Sequence, residues 1–92
     1  MLDKLKNIIS EFNDLGEQLS DPAVMNDIKT YQRISQEYSN LKDKATLAQK
    51  YIDVSNEIED LNSMLEYETD FDVTELAKTE LIDLNAELVS LE

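Results

Sequence analysis

Between Asn26 and Tyr67 the chain runs for some forty residues without a glycine or a proline, so nothing in that stretch stops a helix. Apolar residues recur there at alternating spacings of three and four, through Tyr31, Ile34, Tyr38, Leu41, Ala45, Ala48 and Ile52. From Tyr51 a second register takes over, through Val54, Ile58, Leu61 and Leu65. The pattern predicts one long helix over about residues 27–67, and at ~1.5 Å rise per residue it would span roughly 60 Å. That is too long for the core of a small globule. Flanking segments must cover it, and the shift in register implies that they cover different parts of it.

Upstream, Leu2, Leu5, Ile9, Phe12 and Leu19 follow a heptad seam that Ile8 and Leu15 widen, which predicts a helix over 2–19. Gly16 falls on that seam and costs about 1 kcal/mol in helix propensity relative to Ala. It either permits the close approach of another helix or reflects sequence drift. In the joint that follows, Ser20 or Asp21 can cap a short turn with Pro22 at its first position, where the missing N–H costs nothing. The residue before a proline is biased away from the helical region, so the first helix ends by about Ser20. Val24 and Met25 can then fold back, and Asn26 or Asp27 caps the long helix.

Downstream, the helical pattern lapses in residues 66–72. Asp70 or Asp72 can cap a last helix, with Glu75 three residues after Asp72 as in a capping box. Val73, Leu76, Ala77, Leu81, Leu84, Leu88 and Leu91 form a stripe that predicts a helix over 72–91, antiparallel to the long one. The expectation is a single all-α domain over 1–92, either an elongated three-helix bundle or an antiparallel coiled-coil hairpin with a long central helix. Leu41, Ile58, Leu61, Leu81 and Leu84 are its expected core. Glu92 sits in mid-pattern with no helix stop beyond it, so the chain is expected to be the N-terminal fragment of a longer one.

Charge is unevenly spread. Residues 1–52 hold eight acids and seven bases, while 53–92 hold thirteen acids and one base, Lys78. Phosphate binding needs clustered Lys or Arg, so the C-terminal part is built to be repelled by nucleic acid. Its acidity is either a solvated face or a docking surface for a basic partner. Tyr31, Tyr38 and Tyr51 lie on or near the seam and read as core rather than as a platform for nucleobases. No apolar run approaches the roughly 20 residues that cross a bilayer, and the N-terminus lacks a signal peptide's apolar core. A cytoplasmic protein is expected.

Cysteine and histidine are absent, which removes thiolate chemistry, imidazole acid–base catalysis and the usual zinc sites. Acidic pairs such as Glu59–Asp60 and Asp83–Glu87 lack a pocket that would perturb them, and Ser10, Ser35, Ser39 and Ser55 have no base beside them. No glycine-rich phosphate loop exists. The expectation is no enzyme activity, no catalytic, cofactor-binding or metal-binding residue, and no cofactor.

The order of the motifs carries a resemblance. Met1-Leu2-Asp3-Lys4-Leu5 opens a helix that closes in Leu15-Gly16-Glu17-Gln18-Leu19-Ser20-Asp21-Pro22, followed by Val24. The long helix carries Tyr31-Gln32-Arg33-Ile34-Ser35-Gln36-Glu37-Tyr38, and the last carries Glu75-Leu76-Ala77-Lys78-Thr79-Glu80-Leu81. In this order, over essentially the whole chain, the series resembles the N-terminal domain of bacterial peptide chain release factor 1, a class I release factor. The family often has Asp-Pro where this chain has Asp70-Phe71.

Family members read stop codons through a Pro-x-Thr-type tripeptide and trigger hydrolysis through Gly-Gly-Gln, which a chain with one Gly and one Pro does not contain. What the resemblance implies is an accessory role in translation termination on the ribosome. The domain would contact the stalk base that includes ribosomal protein L11 and bear on the action of release factor 3, with no direct nucleic-acid binding and no membrane. A free-standing acidic coiled-coil adaptor or dimerisation module is the alternative. For the isolated fragment a weak homodimer is expected, strengthened by salt and joined through the less acidic half, with an uncovered apolar strip near Gly16 or Tyr51.

Overall fold

A computed structural model describes all residues from 1 to 92. It is all-α, with 90% of the residues helical and no strand. The helices are α1 (Leu2–Leu19), α2 (Pro22–Met25), α3 (Ile28–Tyr67) and α4 (Phe71–Leu91). The short turn expected at Pro22 is thus a one-turn helix of its own. The chain divides into two compact units, Met1–Gln49 and Lys50–Glu92, and α3 supplies residues 28–49 to the first and 50–67 to the second.

Side-chain caps set the starts of α2, α3 and α4, whereas α1 begins after Met1 without one. Asp21 accepts a hydrogen bond from the Ala23 backbone N–H at 2.9 Å, and Pro22 follows at the first helical position. Of the two candidate caps for α3 it is Asp27 that acts, its carboxylate accepting from the Thr30 N–H at 3.2 Å. Asp70 rather than Asp72 caps α4, accepting from the N–H groups of Asp72 and Val73 at 2.9 and 3.4 Å. Asp72 therefore lies inside the first turn, α4 begins at Phe71, and the expected box between Asp72 and Glu75 is not the capping arrangement. Glu68 ties the joint before α4 by accepting from the N–H groups of Thr69 and Asp70.

In the first unit α1 packs against α3. Leu15, Ile34, Ala45 and Ala48 are buried, and the Phe12 and Tyr38 rings stack with centroids 4.3 Å apart at 16°. Gly16 sits over this pair, and a Cβ placed there would come within 3.3 Å of the Tyr38 ring. The glycine on the seam thus permits close approach. In the second unit α4 runs back along α3 as a helical hairpin. Lys50 pairs with Glu87 at 3.3 Å, the Tyr51 hydroxyl donates to Glu92 at 3.3 Å, and Val54, Ala77 and Leu84 are buried.

The buried positions of α3 change register between Ala48 and Val54, a step of six residues that breaks the three–four rhythm. No single face of α3 is apolar throughout. Of the expected core only Leu84 is buried, while Leu41, Ile58, Leu61 and Leu81 are half-buried. Ile58, Leu61 and Leu81 belong to the second unit, where only two helices are in contact and a large side chain on the seam is open along its edges. Leu41, in the first unit, lines an open surface depression. The short Ala77 is fully covered by its neighbours. Leu76 is 70% exposed, because it lies one residue off the 77–81–84–88–91 seam.

Candidate interaction surfaces

The ionisable side chains stand on the outside. No polar or charged residue is buried, and no buried side-chain polar atom lacks a hydrogen-bond partner. No group of three or more Asp and Glu residues is placed to hold a metal ion. The surface depressions are open and chemically plain. One in the first unit is lined by Ile9, Phe12, Asn13, Ala45, Thr46 and Gln49, and another by Glu11, Leu15, Glu37, Asn40, Leu41 and Lys44.

Two side chains titrate away from their ordinary values. The backbone hydrogen bond from Thr30, seconded by the Thr30 side chain, holds the Asp27 carboxyl below 3.8. This is the electrostatic signature of a cap. Desolvation pushes the Tyr51 phenol above 10.0, helped by the negative charge of Glu92 and by their hydrogen bond. Neither group faces an enclosed pocket, so both shifts describe structural joints.

What distinguishes the two units is their surface charge. Residues 1–49 carry eight acids and six bases, a net −2, while residues 50–92 carry thirteen acids and two bases, a net −11. Both bases of the second unit are engaged, Lys50 with Glu87 and Lys78 with Glu75 at 3.8 Å. That leaves the second unit no unpaired cation to offer a phosphate backbone. Tyr38 is committed to Phe12 and Tyr51 to Glu92, while Tyr31 at 39% exposure and Tyr67 at 82% stand at distant points of α3.

Exposed apolar residues occur in both units, but not where the interruption at Gly16 suggested, since the Tyr38 ring fills that place. In the first unit they are Met1, Leu2, Met25, Ile28, Tyr31 and Leu47. Leu47, one turn before Tyr51, is 58% exposed at the point where the register of α3 shifts. No helix is long and apolar enough to cross a membrane.

A family model described as the PCRF domain matches residues 8–92. Peptide chain release factor 1 of Bacillus licheniformis is 38% identical over 91 residues, covering 99% of this chain and 26% of that protein. Peptide chain release factor 1 of Oceanobacillus iheyensis is 36% identical over 92 residues, covering 100% of this chain and 26% of that protein. The corresponding protein of Bacteroides thetaiotaomicron is 33% identical over 92 residues, or 100% of this chain and 25% of its own length. The chain thus spans about a quarter of the length of these relatives. No solved structure matches it.

Proposed function

Because the chain belongs to the PCRF domain family, we propose that it works in translation termination as an accessory N-terminal domain of a class I release factor. The observation that carries this reading is the family match over residues 8–92, joined by release factor relatives that align along the whole chain. The domain contributes contacts, not chemistry. It holds neither a Gly-Gly-Gln motif nor a histidine or cysteine, and its carboxylates stand in water. Stop-codon reading and hydrolysis belong to other parts of the full factor.

On the ribosome, in the cytoplasm, the domain meets protein rather than RNA. The net −11 of the second unit is repelled by phosphates and attracted to a basic surface such as a ribosomal protein of the stalk base, L11 being the candidate. Through that position the domain bears on the action of release factor 3. Alone in solution, the chain forms a weak homodimer through the near-neutral first unit, where Met25, Ile28 and Leu47 are exposed. Salt strengthens it by screening the like charges over a Debye length of about 8 Å.

A chimera tests the reading. This chain replaces the N-terminal domain of a release factor 1 that responds to release factor 3, and peptide release and factor turnover are followed on stop-programmed ribosomes. The chimera is expected to recover the stimulation by release factor 3 that deletion of the domain removes, while the chain alone releases no peptide. Codon-dependent release by the chain alone, or a chimera no better than the deletion, refutes the proposal.

A further inference from the structure

The two edges of the helical hairpin in residues 50–92 are unlike. On one edge the Lys50 ammonium meets the Glu87 carboxylate at 3.3 Å, and on the other the Tyr51 hydroxyl donates to Glu92 at 3.3 Å. In an antiparallel pair, seven residues forward on one helix match seven residues back on the other. Each such step returns to within about 20° of the same line. Carried one heptad toward the joint, the edge of Tyr51 and Glu92 arrives at Ile58 and Asn85, where no two charges meet. The edge of Lys50 and Glu87 arrives at Glu57 and Glu80. A position that holds an ion pair at one level thus holds two carboxylates at the next. A further heptad brings Met64 level with Val73, and there the edge is apolar.

No cation compensates these carboxylates. Glu57 and Glu80 are both exposed, and neither belongs to an ion pair. Lys78 stands two residues from Glu80, roughly 160° away around α4, and is held by Glu75 at 3.8 Å. Lys50 lies about 10 Å along α3 from Glu57 and is held by Glu87. Each glutamate has a further acid three residues on, Asp60 and Asp83, so both helices add to the repulsion. The seam beside them resists weakly, since Ile58, Leu61 and Leu81 are only half-buried. Residues 1–49, by contrast, carry a net −2 and bury Ile34 fully. We infer that the opposition of Glu57 and Glu80 is a release point built into the hairpin. At low ionic strength α4 lifts from α3 within residues 50–92 while residues 1–49 stay packed, and screening of that edge closes it. This does not rest on the ribosomal reading, since every group it uses stands in the chain itself.

Amide hydrogen exchange on the 92-residue chain tests the inference, at a concentration where sedimentation gives a monomer at each salt. Raising salt from about 0.01 M to about 0.15 M shortens the Debye length from about 30 Å to about 8 Å. Protection at Leu81 and Leu84 is expected to rise by roughly threefold or more over that range, and protection at Ile34 and Ala45 by less. At the low salt, Glu57→Lys and Glu80→Lys should each raise protection at Leu81 and Leu84 by roughly threefold, since either turns the opposition into attraction. Combining them restores two like charges, so the double variant should fall well short of the product of the two gains. Glu59→Lys makes the same charge change at an exposed position away from this edge, and its gain should multiply with that of Glu80→Lys. All three positions are exposed in helices, and unchanged circular dichroism confirms that each variant folds. Gains at 57 and 80 that multiply independently would overturn the inference. So would protection at Ile34 that follows Leu84 throughout, or protection at Leu84 that neither salt nor substitution moves.

Discussion

In residues 1–49 the most deeply buried side chain is Ile34, 2% exposed, and a stacked Phe12–Tyr38 pair locks α1 to α3 beneath Gly16. In residues 50–92 the buried set is Val54, Ala77 and Leu84, two of them small, and cross-helix polar contacts at Lys50–Glu87 and Tyr51–Glu92 stand at the edge. The first unit is nearly neutral and spends its aromatic residues on packing. The second is thin and strongly acidic, and it leaves Phe71, Ile82 and Val89 in water. A hairpin of two helices can cover only one face of each. The difference teaches that interlocking large side chains hold the first unit, while small buried residues and edge polar contacts hold the second.

Core truncations strain this comparison hardest. Ile34→Ala is expected to cost about 2–5 kcal/mol, a large share of the stability of so small a domain. Leu84→Ala should cost less, because its 9% exposure leaves a partly open site that can collapse. Urea melts followed by circular dichroism rank the two, and a larger loss at Leu84 would reverse the comparison. Next comes the cap of α4, within the second unit. Asp70→Ala removes the acceptor for Asp72 and Val73 and should cost roughly 1 kcal/mol, seen as a lower melting midpoint.

Smaller effects sharpen the picture at the aromatic lock. Gly16→Ala gains about 1 kcal/mol of helix propensity but crowds a Tyr38 ring that Phe12 holds in place, so the net change should stay within about 1 kcal/mol. Gly16→Val should be clearly destabilising by the same melts, since its branches cannot avoid the ring. A tolerated valine would mean that the stack does not fix the helix spacing.

Smallest of all is the pH dependence. Tyr51 has its proton-bound form favoured by folding, so its contribution is complete below 10.0 and is lost as pH rises through the raised value. Asp27 is the converse: its contribution is present above 3.8 and is lost as pH falls through the lowered value. Tyr51→Phe should therefore flatten the alkaline limb of a stability profile, and Asp27→Asn, which still caps, the acid limb.

Much of the fold was legible because helix punctuation is local. Pro22 and the aspartates at 21, 27 and 70 mark the joints, and the absence of Gly and Pro carries α3 unbroken. The register change near Tyr51 was also visible, because it is a property of spacing alone. Burial was less legible. Large residues such as Ile58 and Leu61 looked like core, but in the two-helix contact of the second unit a small residue like Ala77 is covered first. The Phe12–Tyr38 stack joins residues far apart in sequence, and only the chosen register of α1 on α3 brings them together.

Roles for the two units in partner contact are separated most directly by photocrosslinking. The chimera, carrying a photoreactive amino acid at position 82 in the acidic unit or at position 28 in the near-neutral one, is bound to stop-programmed ribosomes and irradiated. Crosslinks from position 82 to a basic ribosomal protein, and none to RNA, are the expected result. Crosslinks from position 82 to ribosomal RNA, or protein crosslinks from position 28 alone, would contradict the assignment of partner contact to the acidic unit.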